Sequence, residues 1–393
     1  MKMTFALMRI SIARALRNWE PRRVWLLAAA VLLFASPALS HARGSDDPWL
    51  SDVDIRLLGM DVGVGWRGLQ VSPAVDTILW AYVGGGYEWQ EYYREPSGAL
   101  MAPGALAGRD PVYPRVEALG KLGIAQGIAW NERTNRNLLE AFVFCVARYD
   151  AYQAPAGAAL AASSLDDKAG SFQNSFLGGL TLDNVLDNPD HKTRSGFSIE
   201  ISAEWGPSWF FNALLGNADF VRMNANTRIF LPLFDVAYDR PVNVVSAYIA
   251  DFVAVDYAVG IGAAVPLSIR QTFGGRNQQA GLGYAVRGVS WGSCDTNLKA
   301  VNNLELRVNL PALVIPDLVP GLLAFLDAGW YDQVGEAGIA DPPPSGVVTS
   351  TGFGLFLDFL DLITAAAYVD YRIDAENPNG QRWSIAAEAG LHF

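Results

Sequence analysis

The chain has 393 residues, 51% of them hydrophobic, and a formal net charge of −11. Acidity of this kind excludes nucleic acid as a partner, because phosphate binding needs clustered Lys and Arg. Two cysteines, Cys145 and Cys294, are too few for a disulfide framework.

Residues 1–42 read as an export signal. Arg22 and Arg23 precede an unbroken apolar run from Val24 to Ala35, and Ser40-His41-Ala42 fits a cleavage site. The run is too short to span a bilayer comfortably as a helix. The part ahead of Arg22 is long for a signal, so Met3 or Met8 is an alternative start. No cysteine follows the cut, which argues against a lipid-anchored mature end. Residues 43–393 are then the mature protein, a single barrel domain of 351 residues. Six of the 29 Lys+Arg and one of the 40 Asp+Glu lie before the cut, leaving 23 bases, 39 acids and a net charge of −16.

Past the cut no apolar run reaches the roughly 18 residues of a membrane helix. The greasiness is spread over alternate residues instead, as lipid-facing strands require. Fourteen strand candidates recur between turn signals, at 52–66, 75–89, 114–130, 138–153, 171–184, 194–206, 219–233, 243–258, 260–273, 297–310, 320–331, 350–360, 362–373 and 382–393. The alternation is clean where Phe197, Ile199, Ile201, Ala203 and Trp205 oppose Ser198, Glu200, Ser202 and Glu204. It is equally clean where Val221, Met223, Ala225, Thr227 and Ile229 oppose Arg222, Asn224, Asn226 and Arg228. A soluble sandwich has the same period. What separates the two is that Trp66, Trp89, Trp130, Trp205, Trp330 and Trp383 fall near predicted strand ends, as in an interfacial aromatic belt. The loops 93–112 and 333–348 are rich in Gly, Pro and Ala and are expected on the cell exterior.

Gly274-Gly275 is followed by Val286-Arg287-Gly288-Val289, then by Asn303-Leu-Glu305-Leu-Arg307 and Phe325-Leu-Asp327-Ala-Gly329. Period two puts Asn303, Glu305, Arg307 and Asn309 on one face. An arginine folded in over the strands can pair with Glu305 and Asp327, since the guanidinium fork suits carboxylates. Residues 272–393 in this respect resemble the BamA/TamA superfamily of outer-membrane assembly barrels. There a Val-Arg-Gly-aromatic loop folds into the barrel and its arginine meets acids on the next two strands. The resemblance implies an all-β fold, a transmembrane antiparallel β-barrel of sixteen strands, with Val286, Arg287, Gly288, Glu305 and Asp327 as a structural loop lock. Val289 departs from the motif by not being aromatic. The family's periplasmic POTRA modules find no counterpart in the ten or so residues between the cut and the first strand, too few for a domain. Asp183 to Phe197 looks like the family's turn before a long strand. The chain ends on alternating apolar residues and Phe393, which resembles the terminal insertion signal of bacterial barrels. Gly390 matches a kinking glycine at the seam between last and first strands, and fraying of a chain end explains it equally well.

Other motifs weigh little. Gly63-Val-Gly65-Trp-Arg-Gly68 matches a dinucleotide fingerprint, but no helix pattern follows it, and a tight turn closing the first hairpin is the better reading. Gly288-Val-Ser290-Trp-Gly292 matches a nucleophile elbow, with Asp327 and His392 in hydrolase order, again without a following helix. His191 and His392 are the mature chain's histidines, and no cluster has metal spacing. Cys145 and Cys294 read as two unpaired thiols, though an exported protein could join them.

Two functions compete on these residues. By resemblance, the protein inserts or translocates polypeptides at the bacterial outer membrane, with lipid, unfolded outer-membrane proteins or a periplasmic partner as its contacts. The alternative is a passive, porin-like channel or bacterial surface antigen without assembly activity. No enzyme, cofactor or metal is expected under either.

Overall fold

Strict alternation along most of residues 49–391 leaves few ways to hide apolar side chains except in sheets. The computed structural model describes residues 49–391, apart from 57–58, 70, 73, 94–110, 154–157, 162, 164–166, 240–241, 264, 290–293, 295, 314–317, 333, 335–344, 360–362 and 375–381. Asp52–Phe393 form one compact unit, and the described part of Met1–Ser51 is the start of the first strand. The expected export signal and the two loops expected on the exterior therefore lie wholly or largely outside the described residues.

The strands are β1 (Trp49–Arg56), β2 (Gly59–Trp66), β3 (Thr77–Glu91), β4 (Val112–Asn131), β5 (Arg136–Tyr152), β6 (Gly170–Asp183), β7 (Leu186–Asn188), β8 (Thr193–Gly206), β9 (Phe220–Asp239) and β10 (Asn243–Gly260). After them come α1 (Leu267–Arg270), β11 (Thr272–Phe273), β12 (Gln279–Ala280) and α2 (Leu282–Ala285). The last strands are β13 (Leu298–Asn309), β14 (Leu318–Asp332), β15 (Gly346–Phe359), β16 (Ile363–Arg372) and β17 (Trp383–Leu391).

Among the described residues one antiparallel sheet has 15 strands, in the order β6-β5-β4-β3-β2-β1-β17-β16-β15-β14-β13-β10-β9-β8-β7. β6 also pairs with β8, from Phe176↔Trp205 to Asp183↔Ser198, so the run of neighbours returns to its start. Fourteen of the 15 strands belong to that circuit, and the short β7 is an appendage of β8. β1 meets β17 at Ile55↔Leu391. β11 and β12 form a separate hairpin.

Two candidate strands come out differently. The stretch 52–66 is not one strand but β1 and β2 folded back on each other, a break that its even alternation hides. The stretch 260–273 is not a wall strand. Pro266 stops extended pairing and starts α1, its carbonyl accepting from Ile269 N at 3.0 Å and Arg270 N at 3.1 Å. Gly63 and Gly65 lie within β2 rather than in a turn, because the rings of Tyr82 and Trp80 on β3 lie over them. A Cβ at Gly63 would meet Tyr82 at 2.3 Å. Asp183 to Phe197 holds β7 and the tight turn into β8, as its composition indicates.

The wall is inverted relative to a soluble sandwich. Leu79, Leu122, Val143, Ile199, Ile201, Met223, Leu304, Leu306, Leu322, Leu326, Phe353, Leu355 and Ile385 face outward and are exposed. Arg115, Lys121, Arg148, Asp150, Glu204, Arg222, Asp256, Lys299, Asp327 and Asp370 face inward and are buried. Charge inside is matched with charge: Arg115 meets Asp150 at 2.6 Å, Arg148 meets Glu204 at 2.5 Å, and Asp256 lies 2.9 Å from Arg222 and 3.2 Å from Lys299. Trp89, Trp205, Trp330 and Trp383 are exposed and share the strand end at which β10 finishes.

Candidate functional site

The described residues of 261–297, between β10 and β13, cross the inside of this wall rather than looping away from it. α1 is held by Leu267 N donating to Asp167 Oδ2 at 2.7 Å and by Gln173 Nε2 donating to Ser268 Oγ at 2.7 Å. Tyr113 OH on β4 donates to Gln271 Oε1 at 2.9 Å. Arg222 on β9 donates to the carbonyl of Thr272, and Gly274 N donates to Asp256 Oδ1 at 2.8 Å. On the far side Asn303 Nδ2 donates to the Ala285 carbonyl at 2.6 Å.

Arg287 stands where its motif puts it. Its backbone N and Nε donate to Asp327 Oδ2 at 3.0 and 2.8 Å, and Nη2 donates to Asp327 Oδ1 at 2.7 Å. Nη1 donates to Glu305 Oε1 at 2.5 Å. Glu305 is shared, since Arg307 Nε donates to its other oxygen at 2.7 Å. The register explains the reach: Asn303 lies opposite Asp327 and Glu305 opposite Phe325, so the two acids are diagonal neighbours on the inward face. Asp327 is fully buried. Burial works against the Arg287 charge, but Asp327 and Glu305 more than offset it and raise its pKa.

Two aromatic partners were not legible in the motif. The Arg287 guanidinium carbon sits 3.6 Å from the centroid of Phe325 and 5.7 Å from that of Tyr368 on β16. Val289, in the place of the motif's aromatic residue, is seated in an apolar cluster with Phe273, Leu282, Val286, Cys294, Val301 and Val348. Gly288 has φ +79°, and a Cβ there would meet Asp370 Oδ1 at 2.1 Å, so glycine is required twice over. At Gly329 a Cβ would meet Leu282, Val286 and Val348 at 2.8–2.9 Å, which is how β14 lets the segment approach.

A second arginine, which sequence reasoning passed over, anchors the opposite wall. Arg276 Nη1 donates to Glu140 Oε1 on β5 at 2.5 Å, and its backbone N donates to Glu200 Oε1 on β8 at 2.7 Å. Its guanidinium lies over Trp80, Phe142 and Phe144, with centroids at 5.4, 5.8 and 5.5 Å. Lys121 Nζ donates to the Arg276 carbonyl at 2.7 Å. The preceding pair Gly274-Gly275 was a visible signal, and Gly275 at φ +116° lets the chain pass Glu200.

The remaining expectations sort as follows. Gly390 lies inside β17 opposite Thr364 in an unbroken register, while Phe393 is outside the described residues. Ser290 and His392 are also outside them, and Asp327 has both oxygens engaged by Arg287. Cys145 and Cys294 form no disulfide with each other, the first being exposed on β5 and the second buried beside Val289. No metal-binding cluster is present among the described residues.

Neither family models nor curated proteins match the chain. Among solved structures it is similar to CdiB from Escherichia coli, with a TM-score of 0.46 and 12% identity over 90% of this chain and 64% of that one. BamA from Haemophilus ducreyi lacking POTRA domains 1–3 gives 0.47 and 13% over 88% and 70%. CdiB from Acinetobacter baumannii gives 0.42 and 13% over 87% and 59%. The chain thus spans less than two thirds of either CdiB chain. Overlaps this loose carry no residue roles, and the role of Arg287 rests on its own contacts.

Proposed function

We propose that the chain is an outer-membrane β-barrel that helps insert or move other polypeptides across that membrane. What carries this reading is the segment 261–297, which joins the two inner walls through Arg276 and Arg287 instead of leaving a clear lumen. An arginine with two carboxylates and an aromatic platform holds this loop inside, where an open pore leaves its lumen clear. Support for the membrane comes from the outward apolar face and the exposed tryptophans at one strand end. The circuit of strands goes toward the requirement that backbone polar groups in lipid be paired, with β17 meeting β1 at the described pair Ile55↔Leu391. The loop lock acts structurally and not catalytically. The second reading, a passive channel or surface antigen, draws on the charged inner face, which suits a wet lumen.

Depletion in cells separates the two. General loss of other outer-membrane barrels from the membrane fraction is expected under the assembly reading. Loss of small-solute uptake alone, with the other barrels intact, rejects it in favour of the channel.

A further inference from the structure

We propose that the inner face of β3, β5 and β8 carries a guanidinium-binding site, which Arg276 fills in this chain and which takes a guanidino group from another molecule when Arg276 is away. The walls of the site belong to the barrel and not to the loop. Trp80 comes from β3, Phe142, Phe144 and Glu140 from β5, and Glu200 from β8. Three aromatic faces and the Glu140 carboxylate suit a planar, weakly hydrated cation and favour guanidinium over ammonium, while Glu200 accepts from the backbone N of the residue that carries it. The Glu140 carboxylate is oriented without help from Arg276: Asn137 Nδ2 donates to Glu140 Oε2 at 3.0 Å.

A second observation points to a ligand other than Arg276. Trp80 is 8% exposed and its indole Nε1 has no hydrogen-bond partner. A buried donor left unpaired is costly. Arg276 cannot satisfy it, because a guanidinium only donates. A ligand bearing both a guanidino group and a nearby carbonyl offers donors to Glu140 and an acceptor to the indole. Arginine within a polypeptide and a free guanidino solute share that chemistry. The loop that supplies Arg276 is separately tied down at Arg287 and at Gly274, so emptying the site does not require the segment to leave the barrel. The inference does not depend on the assembly reading, since it concerns the wall's chemistry whichever molecule is moved.

The test is chemical rescue of Arg276→Ala in the purified, detergent-folded full chain, read as the temperature of the heat-shift transition on gels. Guanidinium chloride well below denaturing concentration is expected to raise the transition of Arg276→Ala, while sodium chloride at equal ionic strength does not. Wild type, with the site filled, is expected not to respond. Adding Glu140→Gln to Arg276→Ala is expected to abolish the response. Arginine amide and an extended peptide with one central arginine then distinguish the sources: rescue at lower concentration by the peptide assigns a polypeptide ligand, and by the amide a free solute. No response of Arg276→Ala to guanidinium, or the same response in wild type, overturns the proposal. If Arg276→Ala does not refold, its refolding yield is compared with and without guanidinium; a higher yield supports the site and equal yields overturn it.

Discussion

Asp327 receives three hydrogen bonds from Arg287, two from the guanidinium and one from the backbone N, at 2.7, 2.8 and 3.0 Å. Both side chain and main chain of the loop are therefore fixed by one carboxylate. Arg287→Ala leaves Asp327, which is fully buried, without its cation, and Glu305 with Arg307 alone. Breaking a buried pair in this way costs about 3–5 kcal/mol. The heat-shift transition of the detergent-folded barrel is expected to fall clearly, and an unchanged transition would show that the lock does not stabilise the fold.

The pair should also be coupled. Arg287→Ala and Asp327→Asn are each expected to destabilise, and the double variant to lose less than the two losses combined, by about 0.5–3 kcal/mol. Additive losses would mean that the two residues act through different neighbours.

Gly288→Ala tests the turn rather than the charge. A residue with a Cβ at φ +79° costs about 1–2 kcal/mol, and the new methyl displaces the Asp370 carboxylate that Ser384 Oγ also contacts at 2.5 Å. The transition should fall although every ion pair of Arg287 is retained in sequence. Tolerance of alanine here would contradict the described approach of the loop to β16.

The two thiols should react differently. Cys145 faces outward from β5 and Cys294 is buried within the loop's apolar cluster. A membrane-soluble maleimide is expected to label the folded barrel once, at Cys145, with Cys294 reacting only after heat unfolding. Labelling of Cys294 in the folded protein would place the loop elsewhere.

Tryptophan position is measurable by brominated-lipid quenching in reconstituted vesicles. Replacing exposed Trp205 or Trp330 with Phe should reduce the quenched fraction, whereas Trp80→Phe, which removes a buried inward indole, should not. Equal effects of the three substitutions would refute the assignment of faces.

Much of this architecture is legible from period two alone. Glu305 reads as inward because Asn303 and Arg307 share its face, Asp327 because it stands between the apolar residues Leu326 and Ala328 of the other face, and the pleat does the rest. Glu200 and Glu204 are equally readable as inward, yet nothing local tells which cation each will meet. Arg276 lies 136 residues from Glu140 and 76 from Glu200, so their pairing depends on closure of the wall and leaves no spacing signal. Phe325 and Tyr368 are hidden for a different reason: an inward aromatic residue looks like ordinary core until a guanidinium is laid on it. The break between β1 and β2 escapes notice because alternation continues through it, and α1 escapes because Pro266 interrupts an otherwise strand-like run.

The segment 261–297 is bonded both to strands that precede it in the chain, such as β4, β5 and β8, and to strands that follow it, β13 and β14. That imposes a chronology on biogenesis. A cylinder completed first would have to admit a folded hairpin and two short helices past its own rim, tearing apart ion pairs already made. Instead the early strands can gather the segment as it emerges, and the later ones can wrap around it, leaving the junction of Ile55 with Leu391 as the final stitch. Maturation would then be irreversible in practice, because extracting the contents means reopening the wall.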